Sequence, residues 1–346
     1  MADDTFSPIA DRIYRLLVVE DNLTLRQHLE DLLGSDIVQE KIGHSIEIES
    51  AADVREAQRL IRKGFDVVLL DLRIPVEEGA PPKKEHGLKL LQDIKRVTPT
   101  TELITMSGYG TEDDIIDAID SGAFYYIAKP FRYEMLAALL SRVLEKKESE
   151  RMARLDAFTG LYNKAYFDMM LENEISKFPR TGEPSRRKIH PLSVIAMDFD
   201  HLKEYNDRYG HLEGDRMLKF VASVLSRTTR RTDVVGRCGG DEFGVLLENA
   251  THMQALKRAE KIRETIYEEG KTIGPSDLPV SVSIGVATYP SFLKDPRDLY
   301  KAADDALYAS KRAGRNITCG YTTRGEIKMY QEIIEEMERE HGEDKR

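Results

Sequence analysis

The sequence predicts an α/β protein with two domains joined by a helix. Residues 1–133 alternate short apolar runs with helical patterns, which is typical of a doubly wound parallel sheet. Residues 134–155 contain neither glycine nor proline and place apolar side chains at helical spacing. Residues 156–320 contain a second set of apolar strands with acids at their ends. We therefore expect two α/β domains, a connecting helix and, over residues 321–346, an amphipathic helix and a tail.

The composition suits a soluble globular protein and argues against several functions. The chain has 346 residues, of which 41% are hydrophobic and 32% charged, enough for two domains or three small ones. A net charge of −10 argues against nucleic acid as a partner. No apolar run approaches the length of a membrane span, and the N-terminus lacks a signal-peptide core. Two isolated cysteines, Cys238 and Cys319, favour reduced thiols and a cytoplasmic location.

The first domain is predicted to consist of repeated strand–helix units. Such a repeat places neighbouring strands parallel to one another. The predicted strands are Leu16–Val19, Ile46–Ile48, Val67–Leu70, Leu103–Met106 and Phe124–Ile127, and the predicted helices are Asn22–Leu33 and Ala52–Arg62.

Polar side chains lie at or just after the ends of four of these strands. Glu20 and Asp21 follow the first, and Asp71, Ser107 and Lys129 follow later ones. Because parallel strands end at the same edge of a sheet, these five side chains should gather there. Carboxylates offer Mg²⁺ the oxygen ligands it prefers, and an aspartate can accept a phosphoryl group as an acyl phosphate. Each acid could instead cap the helix that follows it, but five such positions together favour a shared site.

This arrangement resembles the receiver domain of response regulators, which has a flavodoxin-like fold. The resemblance implies that Asp71 is the phosphoacceptor and that a histidine kinase supplies the phosphoryl group. It also implies a Mg²⁺ (or Mn²⁺) site and a set of switch residues. The implied metal ligands are Glu20, Asp21, Asp71 and the Arg73 carbonyl, and the implied switch residues are Ser107, Tyr126 and Lys129.

The segment Val76–His86 departs from the receiver pattern. It lengthens the chain between Pro75 and Gly87, and it is polar and rich in turn-forming residues. We expect an extended loop beside the phosphorylation site that either covers the site or shapes a partner surface.

The connecting segment is expected to extend the last helix of the first domain. Its apolar residues are Leu136, Leu139, Leu140 and Val143, and mixed charges interrupt this seam over residues 146–150. A coiled coil with a second chain and a single solvated helix remain open as alternatives.

In the second domain, a predicted β-hairpin carries acids at its tip. The apolar runs Thr232–Val235 and Phe243–Leu247 flank Gly239-Gly240-Asp241-Glu242. Glycines allow a tight turn and leave room for a ligand. Adjacent carboxylates repel unless a cation or a hydrogen-bond donor lies between them.

A second group of polar residues follows the apolar run Leu192–Met197. A strand here delivers acids at its C-terminal end, where open α/β sheets bind their ligands. The residues that follow the strand include Asp198, Asp200, Lys203, Asn206, Asp207, Gly210, His211, Gly214 and Asp215.

These spaced motifs, with Gly239–Phe243, Ser283–Gly285 and Lys311-x-x-Gly314-Arg315-Asn316, resemble the GGDEF domains of diguanylate cyclases. The resemblance implies a nucleotidyl-cyclase-like fold with a ferredoxin-like core. It also implies the condensation of two GTP molecules into cyclic di-GMP and two pyrophosphates. Since each 3′-hydroxyl attacks the α-phosphorus of the other nucleotide, two domains must face each other in a homodimer.

The resemblance also assigns roles to residues. Asp198, the Phe199 carbonyl and Asp241 would bind Mg²⁺ (or Mn²⁺), and Glu242 would be a further metal ligand or a general base. The triphosphate would be bound by Lys203, Lys311 and Arg315. The guanine would be bound by Asn206 and Asp215, and His211 either positions the nucleoside or is an ordinary loop histidine.

Arg230-Arg231-Thr232-Asp233 matches the family's inhibitory Arg-x-x-Asp motif, with Arg230 and Asp233 at its defined positions. The match implies feedback inhibition by the cyclic di-GMP product. Lys261 or Arg263 is expected to supply a second basic group. The alternative is a charged turn between a helix and a strand.

Three further expectations concern the function of the protein, one internal loop and the C-terminal helix. A catalytically silent GGDEF domain that senses GTP or cyclic di-GMP is the alternative function, although the metal acids, glycine pair and phosphate-binding cations are all present. The loop Phe178–His190 should be exposed, and the helix Glu326–His341 should pack on its own domain.

Overall fold

The computed structural model describes residues 13–108, 111–178, 190–275, 277–322 and 324–343. Within these ranges the chain divides into two compact units, residues 13–151 and residues 152–343. Most of the predicted loop Phe178–His190 lies outside the described residues, as do the N-terminal residues 1–12. In the described part of the chain, no helix combines the length and apolar character that crossing a membrane requires.

The first unit is a parallel five-stranded sheet in the order β2-β1-β3-β4-β5, which confirms the predicted doubly wound fold. Its elements are β1 (Tyr14–Val19), α1 (Leu23–Gly34), α2 (Asp36–Ile42), β2 (Ile46–Ala51), α3 (Val54–Leu60), β3 (Val67–Asp71), α4 (Lys84–Val97), β4 (Glu102–Ser107), α5 (Glu112–Asp120), β5 (Tyr125–Ala128) and α6 (Tyr133–Met152). Two details differ from the prediction. The short helix α2 was not expected, and the predicted helix Ala52–Arg62 is shorter, because a 3₁₀ turn at Ile61–Lys63 follows α3.

Helix α6 packs on the sheet of its own unit. Leu136, Leu140 and Val143 are buried in the core that covers one face of the sheet, and Leu139 is partly buried against it. The seam that suggested a coiled coil is therefore satisfied without a second chain. Near the end of α6, the Tyr14 hydroxyl donates to a Glu148 carboxylate oxygen at 2.7 Å.

The insert between β3 and α4 is folded rather than open. Ile74 and Lys83 form an antiparallel bridge that closes the loop at its base, and the Lys83 amide donates to the Ile74 carbonyl at 3.3 Å. At the start of α3, the Val54 amide donates to the Pro75 carbonyl at 3.1 Å. The loop is thereby attached to α3 through backbone hydrogen bonds.

Two ion pairs connect the insert region to the neighbouring helices. Arg55 of α3 pairs with Glu77, and both side chains are largely exposed. Lys84, the first residue of α4, lies 2.5 Å from a carboxylate oxygen of Asp114 and 2.7 Å from one of Asp117, both on α5. The Asp114 side chain is only 9% exposed, so this contact is shielded from water. The insert region thus links α3 to α5.

The second unit is a seven-stranded mixed sheet in the order β12-β11-β10-β7-β9-β8-β6. The central strand β7 is antiparallel to both of its neighbours, β9 and β10. The elements are β6 (Tyr162–Asn163), α7 (Lys164–Ser176), β7 (Leu192–Phe199), α8 (Leu202–Tyr209), α9 (His211–Thr228), β8 (Val234–Arg237), β9 (Glu242–Glu248), α10 (His252–Ile273), β10 (Val282–Tyr289), α11 (Leu299–Arg312), β11 (Thr318–Tyr321), β12 (Ile327–Met329) and α12 (Tyr330–Glu343).

Helices cover both faces of this sheet. Side chains of α9 and α10 form a core on one face, and side chains of α7 and α11 form a core on the other. The tail helix α12 belongs to the first of these cores, in which Ile333 is 3% exposed. The tail helix therefore packs on its own domain, but it begins at Tyr330 and not at the predicted Glu326, because Ile327–Met329 form β12. β12 adds a strand to the sheet edge at β11.

Candidate functional sites

The ends of β1, β3 and β5 bring two acids and a lysine together in the first unit. Lys129 Nζ lies 2.5 Å from Glu20 Oε2 and 2.6 Å from Asp71 Oδ2. Glu20 is 1% exposed and Asp71 is 7% exposed. Burial raises the pKa of Glu20, although the neighbouring Lys129 ammonium opposes the shift.

Three carboxylates at this edge fit a divalent cation. Oxygen atoms of Glu20, Asp21 and Asp71 all lie within 4.8 Å of one another, and Asp21 is exposed to solvent. Hard oxygens at this spacing suit Mg²⁺, which usually keeps several of its waters. The first unit therefore contains an acidic group that can hold a metal ion.

The remaining residues predicted for this site surround the same edge. The Arg73 amide donates to Asp71 Oδ1 at 2.8 Å, and Ser107 is buried at the end of β4. The Ser107 carbonyl accepts from the Lys129 amide at 2.7 Å. Tyr126 packs against the core, whereas Tyr125 is 42% exposed. The inward position makes Tyr126 the better candidate of the two for the switch aromatic.

In the second unit, an acid at the end of the central strand is paired with a lysine. Asp198 is 8% exposed, and its Oδ2 atom lies 2.7 Å from Lys311 Nζ. Burial raises the pKa of Asp198 to about 6; Lys311 opposes this shift, and the nearby carboxylates of Asp241 and Asp200 add to it. A bound cation would supply positive charge that stabilises the ionised form of this buried carboxylate.

The predicted hairpin is present, and its tip lies beside the end of β7. Strands β8 and β9 are antiparallel, and Glu242 is the register partner of Asp198. The Phe199 amide donates to the Asp241 carbonyl at 3.0 Å. The backbone therefore places Asp198, Phe199, Asp241 and Glu242 close together in the sheet. Among the described residues, a group of three carboxylates with oxygens within 4.8 Å of one another occurs only in the first unit. Carboxylates and main-chain carbonyls are nevertheless suitable ligands for Mg²⁺.

The turn of this hairpin requires a glycine at one position. The Cys238 and Gly239 amides both donate to the Glu242 carbonyl, at 2.8 and 3.2 Å. A Cβ atom at Gly239 would lie 2.6 Å from Glu242 Oε2, whereas one at Gly240 would meet open space. A side chain at Gly239 would therefore have to displace the Glu242 carboxylate, whereas the space at Gly240 is open.

Arg237 fixes the tip to the turn that precedes β6, a role that we did not predict from the sequence. Its Nη2 donates to the Gly240 carbonyl at 2.7 Å, and its Nη1 donates to Asp156 Oδ1 at 3.3 Å. Its guanidinium lies 4.9 Å from the centre of the Phe158 ring. The available signal was an arginine placed between an apolar strand and a glycine pair.

The residues predicted to bind the nucleotide follow β7 on two helices. Lys203 and Asn206 lie on α8, and the exposed side chains of His211 and Asp215 lie one turn apart at the start of α9. Asn206 Oδ1 is buried and has no hydrogen-bond partner in the described residues. A Cβ atom at Gly214 would lie 1.8 Å from this oxygen, so the two helices approach closely only because residue 214 is glycine.

The predicted inhibitory motif forms a closed turn after α9. Asp233 is 5% exposed and accepts from the Arg230 amide at 2.7 Å. It also accepts from Arg258 Nη1 of α10 at 2.5 Å. The basic residue of α10 that contacts Asp233 is Arg258, about one turn before Lys261. The Arg230 side chain is exposed.

Comparison with known families identifies both units. Residues 16–141 match the family model described as "Response regulator receiver domain", and residues 153–317 match that described as "Diguanylate cyclase, GGDEF domain". The fold and the acidic sites thus define a protein with a receiver domain and an output domain. The chain belongs to the response regulators whose output domain is a GGDEF domain.

Individual relatives match half or more of the chain. Diguanylate cyclase A of Treponema denticola is 34% identical over 183 residues, covering 53% of this chain and 48% of that protein. Response regulator PleD of Caulobacter vibrioides is 27% identical over 321 residues, covering 88% of this chain and 65% of that protein. The chain spans about half the length of the first relative. A solved structure, the coiled coil and GGDEF domain of DgcB from Caulobacter crescentus with c-di-GMP, is 27% identical with a TM-score of 0.47, covering 55% of this chain and 97% of that one.

Proposed function

We propose that the chain is a response regulator whose GGDEF domain condenses two GTP molecules into cyclic di-GMP and two pyrophosphates. The main support is the group formed by the buried Asp198, its partner Lys311 and the acids at the hairpin tip. This group combines ligands for a divalent cation with a cation for phosphate. Both are suited to a transition state that spreads negative charge over phosphoryl oxygens.

In the reaction, the 3′-hydroxyl of one GTP attacks the α-phosphorus of the other. A P–O bond forms, the bond to pyrophosphate breaks, and the hydroxyl proton leaves to a base; a second, equivalent step closes the ring. Asp198, the Phe199 carbonyl and Asp241 would hold Mg²⁺ (or Mn²⁺), which supplies charge neutralisation when bound. Glu242, exposed at the tip, is placed to accept a proton or to act as a further ligand. Lys203, Lys311 and Arg315 would bind the triphosphate, and Asn206 and Asp215 the guanine.

One domain holds one GTP, so the proposed active state is a homodimer with facing GGDEF domains. The receiver would control this state. A phosphoryl group transferred to a carboxylate oxygen of Asp71 would form an acyl phosphate whose own oxygens face Lys129, which now contacts Asp71 Oδ2, and a metal ion held by Glu20 and Asp21 would neutralise its charge. We propose that this change alters the association or orientation of two chains, with a histidine kinase as the phosphoryl source and the cytoplasm as the location.

The decisive experiment incubates the purified full chain with GTP and Mg²⁺, with and without acetyl phosphate, and separates the nucleotides by chromatography. We expect cyclic di-GMP and pyrophosphate, at a rate and in an oligomeric state that respond to acetyl phosphate. Asp71→Asn should keep the basal rate and lose the response. Binding of GTP without any product would instead favour the silent sensor.

Product inhibition is proposed to act through Arg230. Asp233 is already bonded to Arg258 and to the Arg230 amide, which leaves the Arg230 guanidinium as the group exposed for guanine or phosphate. Inhibition by cyclic di-GMP should be noncompetitive with GTP, and Arg230→Ala should relieve it without lowering the initial rate. The neighbouring, equally exposed Arg231→Ala is the matched control. Equal inhibition of wild type and Arg230→Ala would show that the motif is only a charged turn.

A further inference from the structure

The turn between α11 and β11 has an unusual backbone. Arg315 has φ 64° and Asn316 has φ 49°, so two consecutive residues other than glycine lie in the left-handed region. Side chains with a Cβ atom adopt this region at a cost in free energy, and two in succession persist only when surrounding contacts impose them. The residues that hold this turn therefore fix the backbone from which the Arg315 side chain extends.

Asp200 provides the main anchor. Its buried carboxylate accepts from the Ser281 hydroxyl at 2.8 Å, from the Ser283 hydroxyl at 2.6 Å and from the Asn316 amide at 3.0 Å. Ser281 directly precedes β10 and Ser283 lies in it, so their hydroxyls hold the carboxylate against this strand. The third hydrogen bond comes from the amide of Asn316, one of the two residues with left-handed backbone. Asp200 is only 5% exposed, and three donors already occupy its carboxylate, so its role is to hold the turn.

Arg263 of α10 provides the second anchor. Its Nη1 donates to Asn316 Oδ1 at 2.8 Å, and Glu260 holds the other side of the guanidinium through Nε at 3.0 Å and Nη2 at 2.7 Å. The Arg263 side chain is only 15% exposed, so the contact is well defined. Asn316 is thus held through its backbone by Asp200 and through its side chain by Arg263.

The two acids of the Asp198-x-Asp200 motif hold the same chain segment at two points. Asp198 pairs with Lys311 in the last turn of α11, and Asp200 bonds to Asn316 just beyond it. Two of the three cations predicted for the triphosphate, Lys311 and Arg315, therefore belong to a segment that is fixed to the end of the central strand. Fixing cations before the ligand arrives reduces the entropy lost on binding.

We infer that Asp200 and Arg263 are positioning residues that hold the Arg315–Asn316 turn so that Arg315 meets the triphosphate of the substrate. This inference rests on the proposed function, because it takes the triphosphate as the group that Arg315 binds. It separates the roles of the two neighbouring acids: Asp198 is a metal ligand, and Asp200 is a structural support for the phosphate-binding turn.

The test measures binding as well as activity. Arg263→Ala and Asp200→Asn are titrated calorimetrically with a GTP analogue that has a non-cleavable α–β bridge, and separately with guanosine, in Mg²⁺. We expect both variants to weaken binding of the analogue by about tenfold, as is typical when a supporting residue is lost, and to leave guanosine binding unchanged. In turnover, the KM for GTP should rise more than kcat falls, and Arg263→Lys should restore part of the loss.

Arg227→Ala is the matched control, because it also removes an arginine paired with a glutamate of α10. Arg227 lies on α9, and its partner is Glu269. This variant should bind the analogue as wild type does. Unchanged analogue binding in Arg263→Ala, or an equal loss of guanosine and analogue, would overturn the inference. A changed Mg²⁺ requirement in Asp200→Asn would identify Asp200 as a metal ligand and overturn it as well. Wild type that binds the analogue but forms no product would refute the cyclase activity alone, whereas wild type that binds no analogue would refute the triphosphate site and this inference together.

Discussion

The acidic sites of the receiver and of the GGDEF domain have the same components but differ in how closely their carboxylates are gathered and how deeply they are buried. Each lies at the end of a buried strand, and each contains a lysine paired with a carboxylate. In the receiver, one lysine lies between two buried acids, and three carboxylates lie within 4.8 Å of one another. In the GGDEF domain, of the three acids proposed for the metal site, Asp198 is buried, Asp241 is partly buried and Glu242 is exposed.

This difference corresponds to the size of what each site would bind. A phosphoryl group and one metal ion are small, and a preformed pocket can hold them with little rearrangement. A nucleoside triphosphate that must meet a second one would need an open surface, and His211, Asp215 and Arg315, which are proposed to contact it, are exposed. The receiver site should therefore respond to substitution mainly through stability, and the GGDEF site mainly through activity.

The largest effect is expected at the hairpin tip. Asp241→Asn keeps the shape of the side chain but removes a charge from the proposed metal site, so the initial rate of cyclic di-GMP formation should fall by on the order of 100-fold or more. Glu248→Gln, at the opposite end of the same strand β9, should leave the rate unchanged. Both are assayed chromatographically, with circular dichroism to verify folding. Near-normal turnover in a folded Asp241→Asn protein would contradict the assignment.

The second effect is a loss of stability in the receiver. Lys129→Met leaves Glu20 and Asp71 buried without their cation, which should cost about 4 kcal/mol. Hydrogen exchange of the β1 and β3 amides measures this loss within the receiver. Added Mg²⁺ should recover part of it, since the metal ion neutralises the same acids. Lys89→Met, on the exposed face of α4, serves as the reference; equal protection in both variants would show that the acids do not need Lys129.

The third effect concerns pH. Since the folded pKa of Asp198 is about 6 and its ordinary value is 3.8, its contribution to stability is complete below pH 3.8 and is lost as the pH rises through 6. In metal-free protein, wild type should therefore lose stability relative to Asp198→Asn between pH 4 and 7, by at most about 3 kcal/mol. Thermal unfolding in a chelator measures the difference. A difference that stays constant with pH would mean that Asp198 is already ionised at low pH.

The smallest effect distinguishes the two ion pairs of the insert region. Lys84 and Asp114 are shielded from water, so a double-mutant cycle with Lys84→Met and Asp114→Asn should give a coupling free energy of about 1 kcal/mol. Arg55 and Glu77 are exposed, and the corresponding cycle should give a value near zero. Urea unfolding measures both cycles. Equal coupling in the two pairs would show that shielding from water does not matter here.

Local patterns predicted the strands and the positions of the acids. Runs such as Leu16–Val19 and Leu192–Met197 are buried on both faces of their sheets, and such strands are continuously apolar in the sequence. The acids follow directly at the strand ends, so their clustering required only the rule that ligand sites lie at these ends. The short helix α2 was missed because seven residues carry too weak a period to recognise.

The contacts that support the sites were not predictable in the same way. Asp200 binds residues more than 80 positions away, and Lys84 reaches α5 from the start of α4. Which residue of α10 contacts Asp233 depends on how that helix is rotated against the sheet, and the contact made by Arg258 was not predicted. Such pairings depend on tertiary packing, and patterns among neighbouring residues of one sequence do not indicate them.

The two outermost strands of the seven-stranded sheet have a consequence for aggregation. One edge is β6, with two residues, and the other is β12, with three residues that include Lys328. Lys328 is held by Glu336 at 2.8 Å and by Glu326 at 3.3 Å. Short, charged edges offer a foreign strand few backbone groups to pair with. The GGDEF sheet is thereby protected against edge-to-edge polymerisation, so the two copies of the proposed active dimer would meet through side chains rather than by extending one sheet.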